Sequence, residues 1–260
     1  MKLTQTQVDE FKHNGFLVLP NFLDSTSCQA ILEVALSHLK HKIEPIESEI
    51  DYDGKSQEYR TDVLDYSSIE EKSVLTVRRL RQVYDRDILF KNWMENKKIR
   101  PMLRQLLEDE VVLITAHHNS IMTKVPRYST ETAWHQDRRY WSYSNDNLVS
   151  VWLALGEENA QNGALDFIPS SHKMTFSKDQ FGKKEYFKEE NEKNRALIKK
   201  KYSTFLKAGD IVLFHSKLLH RANKNSTLKT KISFVYTVKA KKTKAVKGSR
   251  SAQYREILLD

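Results

Sequence analysis

Cysteine, proline and glycine are all scarce in this chain of 260 residues, which has one Cys, five Pro and seven Gly. A lone Cys28 excludes an intrachain disulfide and any cysteine-bound metal cluster, and it suits a reducing, cytoplasmic setting. With so few turn formers there is no low-complexity linker, and residues 1–260 are expected to form a single domain. Long apolar runs are missing too: none approaches the ~20 residues of a membrane span. The polar opening Met1-Lys2-Leu3-Thr4-Gln5 lacks the apolar stretch of a signal peptide.

What is present suits a globular protein, with 39% hydrophobic and 30% charged residues. The net charge of +9 draws anions, whether nucleic acid, acidic lipid headgroups or acidic small molecules, unless it is only a solvated lysine surface. Neither the aromatic pattern of an RNA-binding sheet nor helix-turn-helix spacing is found, so nucleic acid is not an expected partner.

Thr4-Gln5-Thr6-Gln7 reads as a capping box before a helix carrying Val8 and Phe11, which Gly15 stops. Phe16–Leu19 reads as a strand. Asp24 or Ser25 caps a second helix with Cys28, Ile31, Leu32, Ala35, Leu36 and Leu39 at helical spacing, which makes Cys28 a core residue rather than a nucleophile. Residues 43–75 are polar and weakly periodic and read as a loop or flap. A helical stretch from Asp87 to Leu107 is interrupted by Pro101. From Val111 onward short strands follow: 111–117, 120–125, 132–137, 148–155, 164–168, 203–207, 211–215 and 230–238, with a charged excursion over 176–201. A helical part (1–110), a strand-rich part (111–240) and a basic tail (241–260) together predict a mainly β fold with flanking α-helices. About eight strands point to a jelly-roll, cupin-like double-stranded β-helix core.

Within that core, Trp134-His135-Gln136-Asp137 ends a predicted strand. Alternation places His135 and Asp137 on one face and Gln136 on the other. A third ligand must come from a distant strand, and His220, just after Asp210–Phe214, is the best candidate. Two imidazoles and one carboxylate on one side of a metal make the facial donor set of non-haem iron oxygenases, which leaves three positions open for a chelating 2-oxo acid and dioxygen. A His-x-Asp triplet alone is common by chance; the strand context gives it weight.

The sequence resembles the phytanoyl-CoA dioxygenase family of Fe(II)- and 2-oxoglutarate-dependent oxygenases over nearly its whole length. The matching blocks are Phe11 through Pro20, Trp134-His135-Gln136-Asp137 with Tyr140-Trp141, Val151 through Leu155, Asn162-Gly163-Ala164-Leu165, Ile168 through His172, and Ala208-Gly209-Asp210 on to His220. The resemblance implies Fe(II) held by His135, Asp137 and His220 as the catalytic centre, with 2-oxoglutarate and dioxygen as cosubstrates. The implied reaction is decarboxylation to succinate coupled to hydroxylation of an unactivated C–H bond. It selects His220 over His215 as third ligand and gives His172 a structural role.

The family usually anchors the far carboxylate of 2-oxoglutarate with an arginine beyond the last histidine. Here the region reads Lys229-Thr230-Lys231-Ile232-Ser233, without arginine. Counting from His220 favours Lys231, and aligning back from Tyr236 favours Lys229; Ser233 shares their strand face. Lysine pairs as a point charge with less geometric control than arginine. Arg221 and Lys124 are the alternative anchors, and Trp152 is expected to pack beside the cosubstrate.

Arg138 and Arg139 follow the metal aspartate and, with Lys124 and Lys173, favour an anionic substrate, unless they pair with the 43–75 flap. His118 is a further substrate-facing candidate. Bacterial enzymes that hydroxylate Kdo, the acidic sugar of lipopolysaccharide, are related oxygenases that fit this basic character. A lipid-linked substrate would give the Lys-rich tail (Lys239, Lys241, Lys242, Lys244, Lys247, Arg250) a place at an anionic membrane surface. Competing expectations are an acyl or amino-acid hydroxylase and a jelly-roll protein that binds its ligand without turnover.

Overall fold

The computed structural model describes residues 1–49, 52, 76–182 and 184–259. Most of the expected 43–75 flap therefore lies outside the described residues, and the part within them includes a strand. In chain order the helices are α1 (Gln5–Asn14), α2 (Ser25–Lys40), α3 (Ile88–Met94), α4 (Arg100–Leu107) and α5 (Glu192–Ile198). The strands are β1 (Phe16–Leu19), β2 (Ile46–Ser48), β3 (Val77–Arg81), β4 (Val111–Ile114), β5 (Ser120–Lys124), β6 (Thr132–His135) and β7 (Leu148–Ala154). They continue with β8 (Leu165–Phe167), β9 (Tyr202–Ser203), β10 (Ile211–His215), β11 (His220–Ala222), β12 (Lys231–Ala240) and β13 (Glu256–Leu259).

Local chemistry explains the helix ends. The Thr4–Gln7 capping box forms as expected, and Gly15 closes α1 with φ +84°. A Cβ at Gly15 would lie 2.4 Å from His172 Nδ1, so the position needs glycine for space as well as for backbone angle. Asp24 accepts from Ser27 N to cap α2. Pro101 starts α4 rather than breaking a longer helix, since the N–H it lacks would have no partner in the first turn anyway.

Two sheets face each other. The larger runs β1-β10-β7-β12-β5-β3-β2, with β4 on the second half of β12 and β13 on β4; the smaller runs β6-β11-β8-β9. β12 shows how the layers divide. All ten of its residues are buried, but Ile232, Phe234, Tyr236, Val238 and Ala240 join the core under the helices. Val235, between Ser233 and Thr237, turns to the inter-sheet space. β7 does the same: Val149, Val151 and Leu153 meet the helices, while Trp152 and Ala154 face the smaller sheet. Helices α1 to α4 thus cover one face of the large sheet and leave its other face, with the small sheet, to enclose a double-stranded β-helix interior, while α5 packs on the cluster around Trp134.

Four strands depart from the sequence reading. β2, β3, β11 and β13 were not expected. The basic stretch 241–260 is not a loose tail. Tyr143 bridges Ala245, Thr243 is buried, and β13 pairs residue by residue with β4. Lys239 is buried against Glu256 at 3.0 Å. β6 also ends at His135; Asp137 opens a 3-10 turn (Asp137–Tyr140) instead of extending the strand.

Candidate iron centre and its cavity

The small sheet brings the sequence-distant histidines together. His135 and His220 are direct partners in the β6–β11 ladder, with ring centroids 4.2 Å apart. Gln136 stays extended (φ −116°, ψ 123°), so alternation carries through it and Asp137 returns to the side of His135. Trp134 points the other way, into an apolar cluster with Ile168, Phe181, Phe187 and Leu219.

One ligand atom from each of His135, Asp137 and His220 lies within 4.8 Å of the others. His135 Nε2 is 3.7 Å and His220 Nε2 3.8 Å from the Asp137 carboxylate. Each ring is oriented from behind by a backbone carbonyl: His135 Nδ1 lies 2.8 Å from Ala133 O, and His220 Nδ1 2.9 Å from Leu218 O. With the proton on Nδ1, both Nε2 lone pairs face the carboxylate. Burial disfavours the imidazolium, lowering His220 and bringing His135 down to about 3, so both rings are neutral donors. Burial alone would raise Asp137, but His118, His220 and His135 outweigh it and hold the carboxyl below its usual range. Asp137 Oδ2 is buried without a hydrogen-bond partner. A buried carboxylate oxygen with no donor, faced by two imidazole lone pairs, fits a divalent cation.

His118 lines the cavity, as expected of a substrate-facing candidate, and also touches Asp137 of this trio. Its Nε2 is 3.3 Å from Asp137 Oδ1, its Nδ1 3.1 Å from Ser150 Oγ, and it meets Trp141 edge-on. Its φ of +38° is costly for a non-glycine residue. His215 is elsewhere, packed on His172 at 5.3 Å with Nδ1 accepting from Lys217 N.

The cavity over the trio holds about 390 Å³. Arg78, Arg79, Arg81, Arg139 and Arg250 line it, as do Tyr52, Tyr140, Tyr186 and Tyr254; Asp137 is its one carboxylate among the described residues. Arg78 pairs with Glu49 at 2.6 Å, Arg79 with Glu47 at 2.6 Å, and Arg139 with Glu185 at 2.5 Å. Arg138 is not in this lining. Its guanidinium donates to Asp146 Oδ1 and to the carbonyls of Trp141 and Tyr143, which directs it away from the metal side. Among the described residues Arg138 thus pairs with Asp146 and Arg139 with Glu185, while most of the 43–75 flap weighed as their alternative partner lies outside the described residues. The arginines of β3 were not among the sequence candidates, and Arg250 was read only as part of the basic tail.

The expected cosubstrate anchors divide sharply. Lys229 is exposed in the turn before β12, and Arg221 is drawn to Asp166 (3.0 Å), so neither faces the inter-sheet space. Lys231, Ser233 and Trp152 do converge, and on a carboxylate, but it is the chain's own Glu158. Lys231 Nζ lies 3.2 Å from Glu158 Oε2, Ser233 Oγ donates to Oε1 at 2.6 Å, and Trp152 Nε1 donates at 3.1 and 3.2 Å. Glu158 is fully buried, and no sequence signal marked it. Lys124, opposite Lys231 in the β5–β12 ladder, donates to Thr130 O at 2.6 Å. Burial and the nearby Arg78 push its ammonium down to about 6.

Facing sheets, the imidazole–carboxylate trio and a cavity at its open side define a non-haem iron oxygenase. The family model described as phytanoyl-CoA dioxygenase matches residues 11–233, and the chain belongs to that family of iron- and 2-oxoglutarate-dependent dioxygenases. It is 30% identical over 107 residues to a probable alpha-ketoglutarate-dependent hypophosphite dioxygenase of Stutzerimonas stutzeri, a match covering 40% of this chain and 36% of that protein. It is 23% identical over 252 residues to phytanoyl-CoA dioxygenase of Arabidopsis thaliana, covering 89% and 87%. Among solved structures, the epimerase SnoN in complex with Fe3+, alpha ketoglutarate and nogalamycin RO shares the fold with a TM-score of 0.72 at 16% identity, covering 94% of this chain and 87% of that one. EctD from S. alaskensis with 2-oxoglutarate and 5-hydroxyectoine aligns with a TM-score of 0.69 at 19% identity, covering 92% and 76%. No helix among the described residues is long and apolar enough to cross a membrane.

Proposed function

We propose that this dioxygenase hydroxylates an anionic small molecule, with His135, Asp137 and His220 holding the iron and the arginine-lined cavity holding the substrate. The observation that carries the iron assignment is the buried Asp137 carboxylate, with Oδ2 partnerless and the Nε2 atoms of His135 and His220 facing it. Fe(II) with a 2-oxo acid supplies the oxidising power for an unactivated C–H bond. The protein's share is placement. Ala133 O and Leu218 O orient the two imidazoles, and His118 steadies Asp137. Trp141 and Tyr140 close part of the cavity against water.

The charge of the cavity wall supports the substrate class. Five arginines against one carboxylate concentrate anions even where three of them already hold glutamates. An acidic sugar such as Kdo, free or lipid-linked, is the particular candidate; acyl and amino-acid substrates compete with it. Lys239 is buried, so contact with an anionic membrane surface would fall to the exposed Lys242, Lys244 and Lys247.

Succinate release with Fe(II), ascorbate and a substrate panel tests this reading. Acidic sugars and other anions are expected to stimulate turnover, and an Arg79→Glu change to raise their KM more than it lowers kcat. Stimulation by neutral compounds alone would overturn the substrate class.

A further inference from the structure

We propose that Glu158 is a built-in competitor for the far carboxylate of the 2-oxo acid, occupying the seat made by Lys231, Ser233 and Trp152. The proposal rests on the iron and 2-oxo acid reading above. It concerns how strongly the chain distinguishes a dicarboxylate from other 2-oxo acids.

The seat is built to hold a carboxylate end-on. An ammonium, a hydroxyl and an indole N–H approach it from two adjacent strands, β7 and β12, and all three bond the two oxygens of Glu158. Lys231 Nζ also lies 4.9 Å over the Trp152 ring. Glu158 is itself pinned: its N–H donates to Leu206 O at 2.8 Å, and Leu206 N donates back at 2.9 Å. Being fully buried, its carboxylate has no water to turn to. Trp152 belongs to an apolar cluster with Phe167 and Phe214, whose rings lie 6.3 and 5.1 Å from that of His220. The seat is therefore on the inner wall beside the metal side and not on a remote face.

An arriving far carboxylate must displace Glu158 or share Lys231 with it. Displacement takes three donors from Glu158 and gives the same three to the arriving carboxylate, so the exchange returns little net affinity. Sharing places two carboxylates on one ammonium, since burial already disfavours the charged form of Lys124 across the ladder. Either way, most of what the seat would give a dicarboxylate is already spent within the fold. The keto-acid end, which binds the metal, is unaffected.

Anaerobic calorimetry on the full chain loaded with Fe(II) tests this, comparing 2-oxoglutarate with 2-oxobutyrate, which has the same chelating end and no second carboxylate. The wild type is expected to prefer 2-oxoglutarate by less than about tenfold. Glu158→Gln and Glu158→Ala are expected to tighten 2-oxoglutarate by about tenfold or more while leaving 2-oxobutyrate and Fe(II) affinities unchanged. If neither variant folds, the wild-type ratio decides alone. A wild-type preference of about tenfold or greater, or folded variants that bind 2-oxoglutarate no better, overturns the role of Glu158. Absence of an Fe(II) isotherm in the wild type would instead strike the iron assignment on which the proposal stands.

Discussion

Asp137 and Glu158 are two carboxylates buried inside the same double-stranded β-helix, and their surroundings are opposite. Asp137 faces neutral imidazoles and keeps one oxygen without a donor, whereas Glu158 has an ammonium, a hydroxyl and an indole N–H on its two oxygens. The first site is electrostatically open and fits a cation from outside. The second carries its own cation and is closed. One fold thus places the same functional group once where it could recruit a metal and once where it neutralises a lysine. The difference lies in the surroundings: imidazoles around Asp137, and an ammonium with a hydroxyl and an indole N–H around Glu158.

Removing the open site has the largest expected effect. His135→Ala or Asp137→Ala should abolish stoichiometric Fe(II) binding and turnover with the far-UV circular dichroism unchanged; retained turnover in either would sink the iron assignment. His118→Phe removes only a partner of Asp137 and should weaken metal affinity by about 10–100-fold, the usual cost of an outer-shell change, readable by Fe(II) titration.

Breaking the closed site acts on stability instead. Lys231→Met leaves Glu158 charged, buried and without its cation, and should cost about 3–5 kcal/mol in denaturant unfolding. The double change Lys231→Met with Glu158→Leu should recover most of that loss, because a buried ion pair replaced by apolar groups is commonly neutral or better. No recovery would mean that the pair contributes more than charge compensation.

A smaller, graded effect is expected from pH. Burial lowers His117 to about 3, and His172 and His215 to about 4, while the unfolded chain takes up these protons near the ordinary imidazole value. The unfolded state binds more protons over this window, so stability is full above about pH 6.5 and falls as pH drops toward about 4. Thermal midpoints across that range check the sign. Lys229→Ala, on an exposed turn, should change stability by less than about 0.5 kcal/mol and leave 2-oxo acid affinity alone, in contrast to Lys231.

The iron trio was legible because its spacing is chemical: His-x-Asp fixes a face, and β10 followed by a histidine supplies the partner strand. The helices α1 and α2 were legible from their caps. β3 was not, since Val-Arg-Arg-Leu-Arg lacks the apolar alternation that marks a strand, although its arginines face a cavity rather than solvent. β11 is only three residues long, and its pairing with β6 is visible only in three dimensions. Glu158 sits in Gly-Glu-Glu-Asn-Ala-Gln-Asn, which reads as an ordinary polar turn. Only the convergence of β7 and β12 shows that it points inward.

Ser251 Oγ bonds both His117 Nε2, at 2.8 Å, and Ser142 N, at 3.0 Å, and so ties down the stretch from which Arg250 and Tyr254 join the cavity wall. This stretch is translated well after His220, so the reaction chamber gains its final side only once the metal-binding half of the chain has been made. Change confined there would alter which molecules enter while leaving the redox centre untouched. A lineage could retune this catalyst through Arg250 and Tyr254.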